Sequence, residues 1–188
     1  MAAIDAARVA VKLWPRDLAI VMTAIAGAES GWNPEAGGDS PRRLHELGHY
    51  YEASLAEKYN CPPGSPDGPA SWGLWQIFMP YHLPKIQALG GPVGDPCETA
   101  NWLKDPWNNA RVADAVLKSQ GLGAWTAYRN GTWARYEYLH TATQVVDQVL
   151  AEQKPKPSPW QWLIPLGVAA FGGYLIYVYV AGARERVA

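Results

Sequence analysis

The chain is short of cysteine, phenylalanine, methionine and unbalanced charge, and each shortage narrows what it can be. Two cysteines, Cys61 and Cys97, lie in Pro/Gly-rich segments and do not form a C-x-x-C pair, which excludes a four-cysteine zinc knuckle. A single Cys61–Cys97 disulfide stays open to the chain in an oxidising compartment, because sequence does not show whether the two sulfurs meet. With 16 basic and 17 acidic residues the net charge is −1. No phosphate-tracking basic surface follows from that balance, no nucleic-acid motif stands out, and nucleic acid is not an expected partner. An export signal is also missing: MAAIDAARVAVKLWPRD carries Asp5 and mixed polarity, and reads as an amphipathic helix stopped by Pro15.

What is present is helix-forming sequence with an unusual aromatic choice. Ten Trp and ten Tyr stand against two Phe, favouring rings with an apolar face and a polar edge, as sugar clefts and membrane interfaces require. Core packing accounts for most of them. The spacing predicts a mainly α protein. Asp17 is placed to cap a second helix, LAIVMTAIAGAES, ended by Gly31 and Pro34, which puts Glu29 in the last turn of a buried helix. A third helix is expected from Pro41 to about Tyr59, with Leu44, Leu47, Tyr51 and Leu55 as its apolar stripe. Others are expected from Pro106 to Gln120, capped by Asp105 and ended by Gly121, and from about Thr132 to Glu152.

The end of the chain changes character. Residues 153–159 hold KPKPSP, an extended spacer of roughly 19 Å. Residues 160–182, Trp160 to Gly182, carry no charge and would rise roughly 35 Å as a helix, enough to cross a bilayer core. Trp160, Trp162, Tyr177 and Tyr179 suit interfacial belts, and Arg184 and Arg186 lie in the short basic tail, 183–188. A C-terminal transmembrane helix is the expectation, following a catalytic domain over residues 1–152.

Within the expected third helix, LHELGHYYE contains H-E-x-x-H. On a continuous helix His45 and His49 share a face that could bind zinc while Glu46 activates a water. A zinc peptidase also needs a third ligand, with Glu52 at the next turn as a candidate, and the segment from about residue 37 to 70 is too short for a peptidase domain. A solvated or aromatic-packed helix face is the expectation here.

Three separated segments carry a more specific signal: AESGWNP at Ala28–Pro34, SWGLWQI at Ser71–Ile77 and WTAYRNG at Trp125–Gly131. Together they resemble the soluble-lytic-transglycosylase branch of the lysozyme superfamily, in which a catalytic Glu precedes Ser at a helix end, followed by G-L-x-Q-[IV] and then A-Y-x-x-G. The matches are Glu29-Ser30, Gly73-Leu74-Trp75-Gln76-Ile77 and Ala127-Tyr128-Arg129-Asn130-Gly131. DPWNNARVA from Asp105 also looks like the family's helix before the third element. The family usually has Met at the position of Trp75 and Asn directly after Tyr, whereas here Arg129 intervenes and Asn sits at 130. The distance from Glu29 to Gly73 is long for the family, so the segment from about 37 to 70 is an insertion.

The resemblance implies a lysozyme-like catalytic domain that cleaves peptidoglycan between N-acetylmuramic acid and N-acetylglucosamine without a cofactor. It implies Glu29 as acid and then base, with Ser30, Gln76, Tyr128, Asn130 and Trp75 around the substrate, and Trp32, Trp72 and Trp125 as further candidates to line the sugar cleft. Independently, a carboxyl at the C-terminal end of an apolar helix meets desolvation and the negative end of the helix dipole, both of which keep it protonated. Glu35 or Asp39 could serve as a second carboxylate in a hydrolytic lysozyme on the same fold. Outside glycan cleavage stand an inactive glycan-binding membrane protein, against which the intact Glu29 argues, and a zinc metallopeptidase through HELGH. Because peptidoglycan lies outside the cytoplasmic membrane, an anchored enzyme without an export signal is expected in a virion membrane or in phage entry or lysis machinery. Its expected partners are glycan strands, a lipid bilayer and other virion membrane or capsid proteins.

Overall fold

The nearly continuous apolar run after Pro15 needs burial on most sides, and helix α2 (Arg16–Ser30) receives it. In the computed structural model, which describes residues 2–155, α2 packs against α1 (Ala2–Leu13) and α9 (Tyr136–Gln153), and these two pack against each other. Ala6, Ala7 and Ala10 of α1 and Ala19, Ala24 and Ala26 of α2 are fully buried, so small side chains line much of this layer. Asp17 does not cap α2: Pro15 holds that position without a side-chain bond, and Asp17 lies in the first turn. The predicted end is present, with Gly31 at φ 63° donating its N–H to Gly27 O at 2.8 Å.

Helix α7 (Pro106–Gln120) begins where the sequence predicts, with the Asp105 carboxylate accepting from Asn108 N at 2.8 Å. Two helices precede it that the sequence pattern did not reveal, α5 (Met79–Ala88) and α6 (Pro96–Leu103). Helix α5 holds Pro84 in its interior, which removes a donor and argues against a helix on sequence alone. The last predicted helix starts at Tyr136, behind a 3₁₀ turn at Thr132–Ala134. The described residues are therefore mainly helical, with nine α-helices among them. A small antiparallel sheet, unanticipated because each strand has two residues, orders β1 (Gly37–Gly38), β2 (Ser71–Trp72) and β3 (Ile77–Phe78), with Gly38 opposite Ser71 and Trp72 opposite Ile77.

Pairing of β1 with β2 closes the segment from 39 to 70 into an excursion from the sheet. It carries α3 (Pro41–Glu46) and α4 (Tyr50–Tyr59), where the sequence predicts one helix. Gly48, at φ 80°, breaks it, and His49 becomes the residue before α4. The predicted stripe breaks with it: Leu44 is buried, but Leu47 is 54% and Tyr51 68% exposed. The excursion has its own small core of Leu44, Ala53, Ala56 and Ala70, against which Phe78 packs. Its Pro/Gly-rich return is organised by the buried Asn60, whose amide donates to Ser65 O and Gly68 O and accepts from Gly64 N. A disulfide joins Cys61 to Cys97 on α6.

Residues Met1–Gln153 form one compact unit. The predicted spacer beyond Pro155, the predicted membrane segment Trp160–Gly182 and the tail lie outside the described residues. Among the described residues no helix is long and apolar enough to cross a membrane.

Because the disulfide spans 36 residues of sequence, the chain-entropy relation gives it about 4 kcal/mol, with about 2–4 typical of measured bridges. Replacing both cysteines by serine is expected to lower unfolding stability within that range in denaturant titrations. An unchanged midpoint would show that the bridge contributes nothing.

Candidate active site around Glu29

The three sequence elements meet, and each pair is joined by a hydrogen bond. Glu29 and Ser30 close α2. The second element makes the turn from β2 to β3, and the third forms helix α8 (Thr126–Arg129). Ser30 Oγ reaches Leu74 O at 2.9 Å, linking the first element to the second. Trp125 Nε1 donates to Trp75 O at 3.0 Å, linking the third to the second. Ala127 N donates to Glu29 Oε1 at 2.9 Å, linking the third to the first.

The turn at the centre is buried and needs partners for its backbone. The fully buried Asn109 of α7 supplies two: its Oδ1 accepts from Trp75 N at 3.0 Å, and its Nδ2 donates to Trp72 O at 2.9 Å. Gly73, at φ 81°, sits against that amide and Leu103 O, where a Cβ would collide. Gln76 holds a left-handed φ of 45°, which costs a side chain of its kind on the order of 1 kcal/mol. Its amide offsets this by donating to Ala36 O and Gly73 O, both at 3.0 Å.

Glu29 is half-buried, and burial raises its pKa above the ordinary carboxylate range; Asp39 adds to the rise, while the Ala127 N–H and Arg129 oppose it. The dipole of α2 acts in the same direction as burial. Arg129 is held away from a direct ion pair by its bonds to Gly123 O, Ala124 O and Thr126 Oγ1. Of the two candidate second carboxylates, Asp39 lines the same cleft as Glu29 and accepts a hydrogen bond from Ser71 Oγ. Glu35 instead pairs with Lys104 Nζ at 3.3 Å.

Several residues predicted to contact substrate make intramolecular bonds. Trp75 is fully buried and donates its indole N–H to Met22 O at 2.8 Å, so it supports the cleft from beneath and has no face for a ligand. Trp125 is likewise 5% exposed. Trp32 donates to Thr23 O and meets Tyr138 edge to face, and Trp72 is buried beneath the Lys104 ammonium. Tyr128 stacks on Trp133 with ring centroids 5.5 Å apart, and no hydrogen bond joins it to Glu29 among the described residues. Asn130 Oδ1 accepts from Thr132 N and Oγ1, which makes it a turn anchor. Sequence reasoning missed the Ala127 N–H, a backbone group without any residue-type signal, and the part played by Arg129.

The cleft has a volume of about 820 Å³, and residues of both the excursion and α8 line it. This divides the H-E-x-x-H motif. His49 lines the Glu29 cleft, while His45 and Glu46 line a separate pocket of about 520 Å³ between α3 and α4. His45 packs edge to face on Tyr50. The shared helical face that zinc would require is lost at Gly48, Glu52 is engaged by Tyr81, and no cluster of three His, Cys, Asp or Glu suited to a metal occurs among the described residues. His82, at the base of the cleft, is 8% exposed, and burial pulls its pKa down to about 4, which keeps it neutral at physiological pH.

No known protein family, curated protein or solved structure matches the chain.

The raised pKa of Glu29 carries a stability consequence. Folding favours the protonated carboxyl, so stability is lost as pH rises from about 4, the unfolded value, through the folded value. Glu29→Gln cannot ionise and keeps an acceptor for the Ala127 N–H. Its melting temperature is expected to exceed that of the native protein near neutral pH, with the gap closing toward about pH 4. A variant less stable by the same margin at every pH would contradict the assignment.

Proposed function

We propose that this chain cleaves the glycosidic bond between N-acetylmuramic acid and N-acetylglucosamine in peptidoglycan, on a lysozyme-like fold, with Glu29 as its general acid. The observation that carries the reading is the half-buried Glu29 carboxyl, placed at the edge of an open cleft where all three elements join and biased toward its protonated form by burial and by Asp39. A glycosidic oxygen is a poor leaving group until it is protonated, and a carboxyl that retains its proton near neutral pH can supply that proton.

In the transglycosylase course, Glu29 donates its proton to the leaving oxygen as the bond from the muramyl C1 breaks, and the substrate's own N-acetyl oxygen bonds to C1. Carboxylate Glu29 then takes the proton of the muramyl 6-hydroxyl, whose oxygen displaces the N-acetyl oxygen at C1 and closes a 1,6-anhydro ring. Glu29 ends protonated, and no water is consumed. The Ala127 N–H bond steadies the carboxylate between the two steps, and Arg129 favours that charged form. Ser30, Gln76, Trp75 and Asn130 serve this centre as positioning residues, through the backbone groups their side chains hold.

Asp39 favours a second reading. It lies in the same cleft, fixed by Ser71, where a second carboxylate could activate water or stabilise the sugar cation in a hydrolytic lysozyme. For place, the proposal keeps the uncharged Trp160–Gly182 segment as a bilayer anchor and the KPKPSP stretch as a spacer. A membrane-containing virion or phage envelope-penetration apparatus is the setting that would bring anchor and cell wall together.

Glu29→Gln is expected to reduce release of soluble fragments from purified peptidoglycan by at least about a thousandfold while the protein stays folded. Mass spectrometry of the native digest separates the courses: anhydro-muramyl ends mark transglycosylation, and reducing ends lost on Asp39→Asn mark hydrolysis. Cleavage retained at near-native rate by Glu29→Gln would remove the assignment.

A further inference from the structure

The cleft lined by Glu29 is also lined by residues of the excursion and of α5, and Tyr81 and Glu52 among them are arranged for a ligand of their own. Tyr81 of α5 donates its hydroxyl to Glu52 Oε1 of α4 at 3.0 Å. Its ring meets Phe78 edge to face, with centroids 5.0 Å apart and planes at 79°. Held at its tip and at its side, the ring is nevertheless 47% exposed, and both Tyr81 and Glu52 line the cleft that contains Glu29. Glu52 is kept charged by its own backbone N–H and the Tyr81 hydroxyl. A carboxylate has about four acceptor positions, of which the backbone N–H and Tyr81 take two.

An immobilised aromatic ring beside a charged acceptor matches a pyranose, which presents a C–H face to stack and hydroxyl donors around its rim. An anionic group such as phosphate would be repelled by Glu52. A purely apolar ligand would leave that carboxylate desolvated and unpaired. Arg43 and His49 also line this cleft and can donate to sugar or acetamido oxygens.

We propose that Tyr81 and Glu52 form a saccharide-binding position at the excursion end of the cleft, engaging a glycan unit remote from the bond that is cleaved. The inference rests on the glycan-cleaving reading of Glu29 and gives the excursion a role: it lengthens the cleft. Binding energy realised there acts only on substrates long enough to reach it, so the chain discriminates long strands from short ones.

The test compares long peptidoglycan glycan strands with short oligosaccharides of the same repeat, using the full chain. Tyr81→Ala is expected to lower the long-to-short ratio of kcat/KM roughly tenfold, mainly through KM, and Glu52→Gln roughly threefold. Tyr81→Phe keeps the ring, loses the bond to Glu52, and should fall between native protein and Tyr81→Ala. Equal losses on both substrates would reveal a structural role, and no loss on either would remove the site; both overturn the inference. As an arm independent of turnover, N-acetylglucosamine oligomers titrated into Glu29→Gln should shift the Tyr81 ring resonances in NMR spectra. Absent shifts, or shifts produced by stem peptide without sugar, overturn it as well. Native protein that cleaves neither substrate would instead refute the glycan-cleaving reading itself.

Discussion

The turn between β2 and β3 is buried, and the need to satisfy its backbone organises the structure around Glu29. Asn109 answers Trp72 O and Trp75 N from α7, Ser30 answers Leu74 O from α2, and Trp125 answers Trp75 O from the segment before α8. Removing any one would leave a buried polar group unpaired, at a cost of about 1–3 kcal/mol. Three stretches far apart in sequence are thereby pinned to one point. Glu29, one residue before Ser30, takes its position from that arrangement and meets the Ala127 N–H at 2.9 Å.

The same arrangement sets stability against chemistry. Asn109, Gly73 and Trp75 are placed to lower the energy of the fold, whereas Glu29 works against it at neutral pH, since burial and Asp39 both oppose its ionisation. The Ala127 N–H and Arg129 limit that opposition. In the proposed role of acid and then base, both influences are used, one for each protonation state.

Much of this was legible in the sequence where local chemistry decides the structure. The αL glycine at 31 and the apolar run of α2 placed Glu29 at a helix end, and the Asp105 cap marked the start of α7. The order of the three elements pointed to a common site. What was hidden is non-local or backbone in character. Trp75 and Trp125 read as sugar-stacking candidates because sequence does not show which side of an indole is buried; their N–H groups are spent on Met22 O and Trp75 O. Gln76 and Asn130 read as substrate contacts, yet their amides hold turns. The break in H-E-x-x-H did have a signal, the glycine at 48, which the motif outweighed. Strands of two residues have no periodicity to detect, and Pro84 concealed α5.

The central claim is that the Glu29 carboxyl, at the edge of an open cleft, holds its proton more tightly than an ordinary glutamate because it is partly buried. A ¹³C NMR titration of the glutamate side-chain carboxyls, assigned by comparison with Glu29→Gln, tests it most directly. The account predicts that the Glu29 resonance titrates above the ordinary glutamate value and that Glu52, whose pKa is lowered, titrates below it. A Glu29 midpoint at or below the ordinary range would contradict the account.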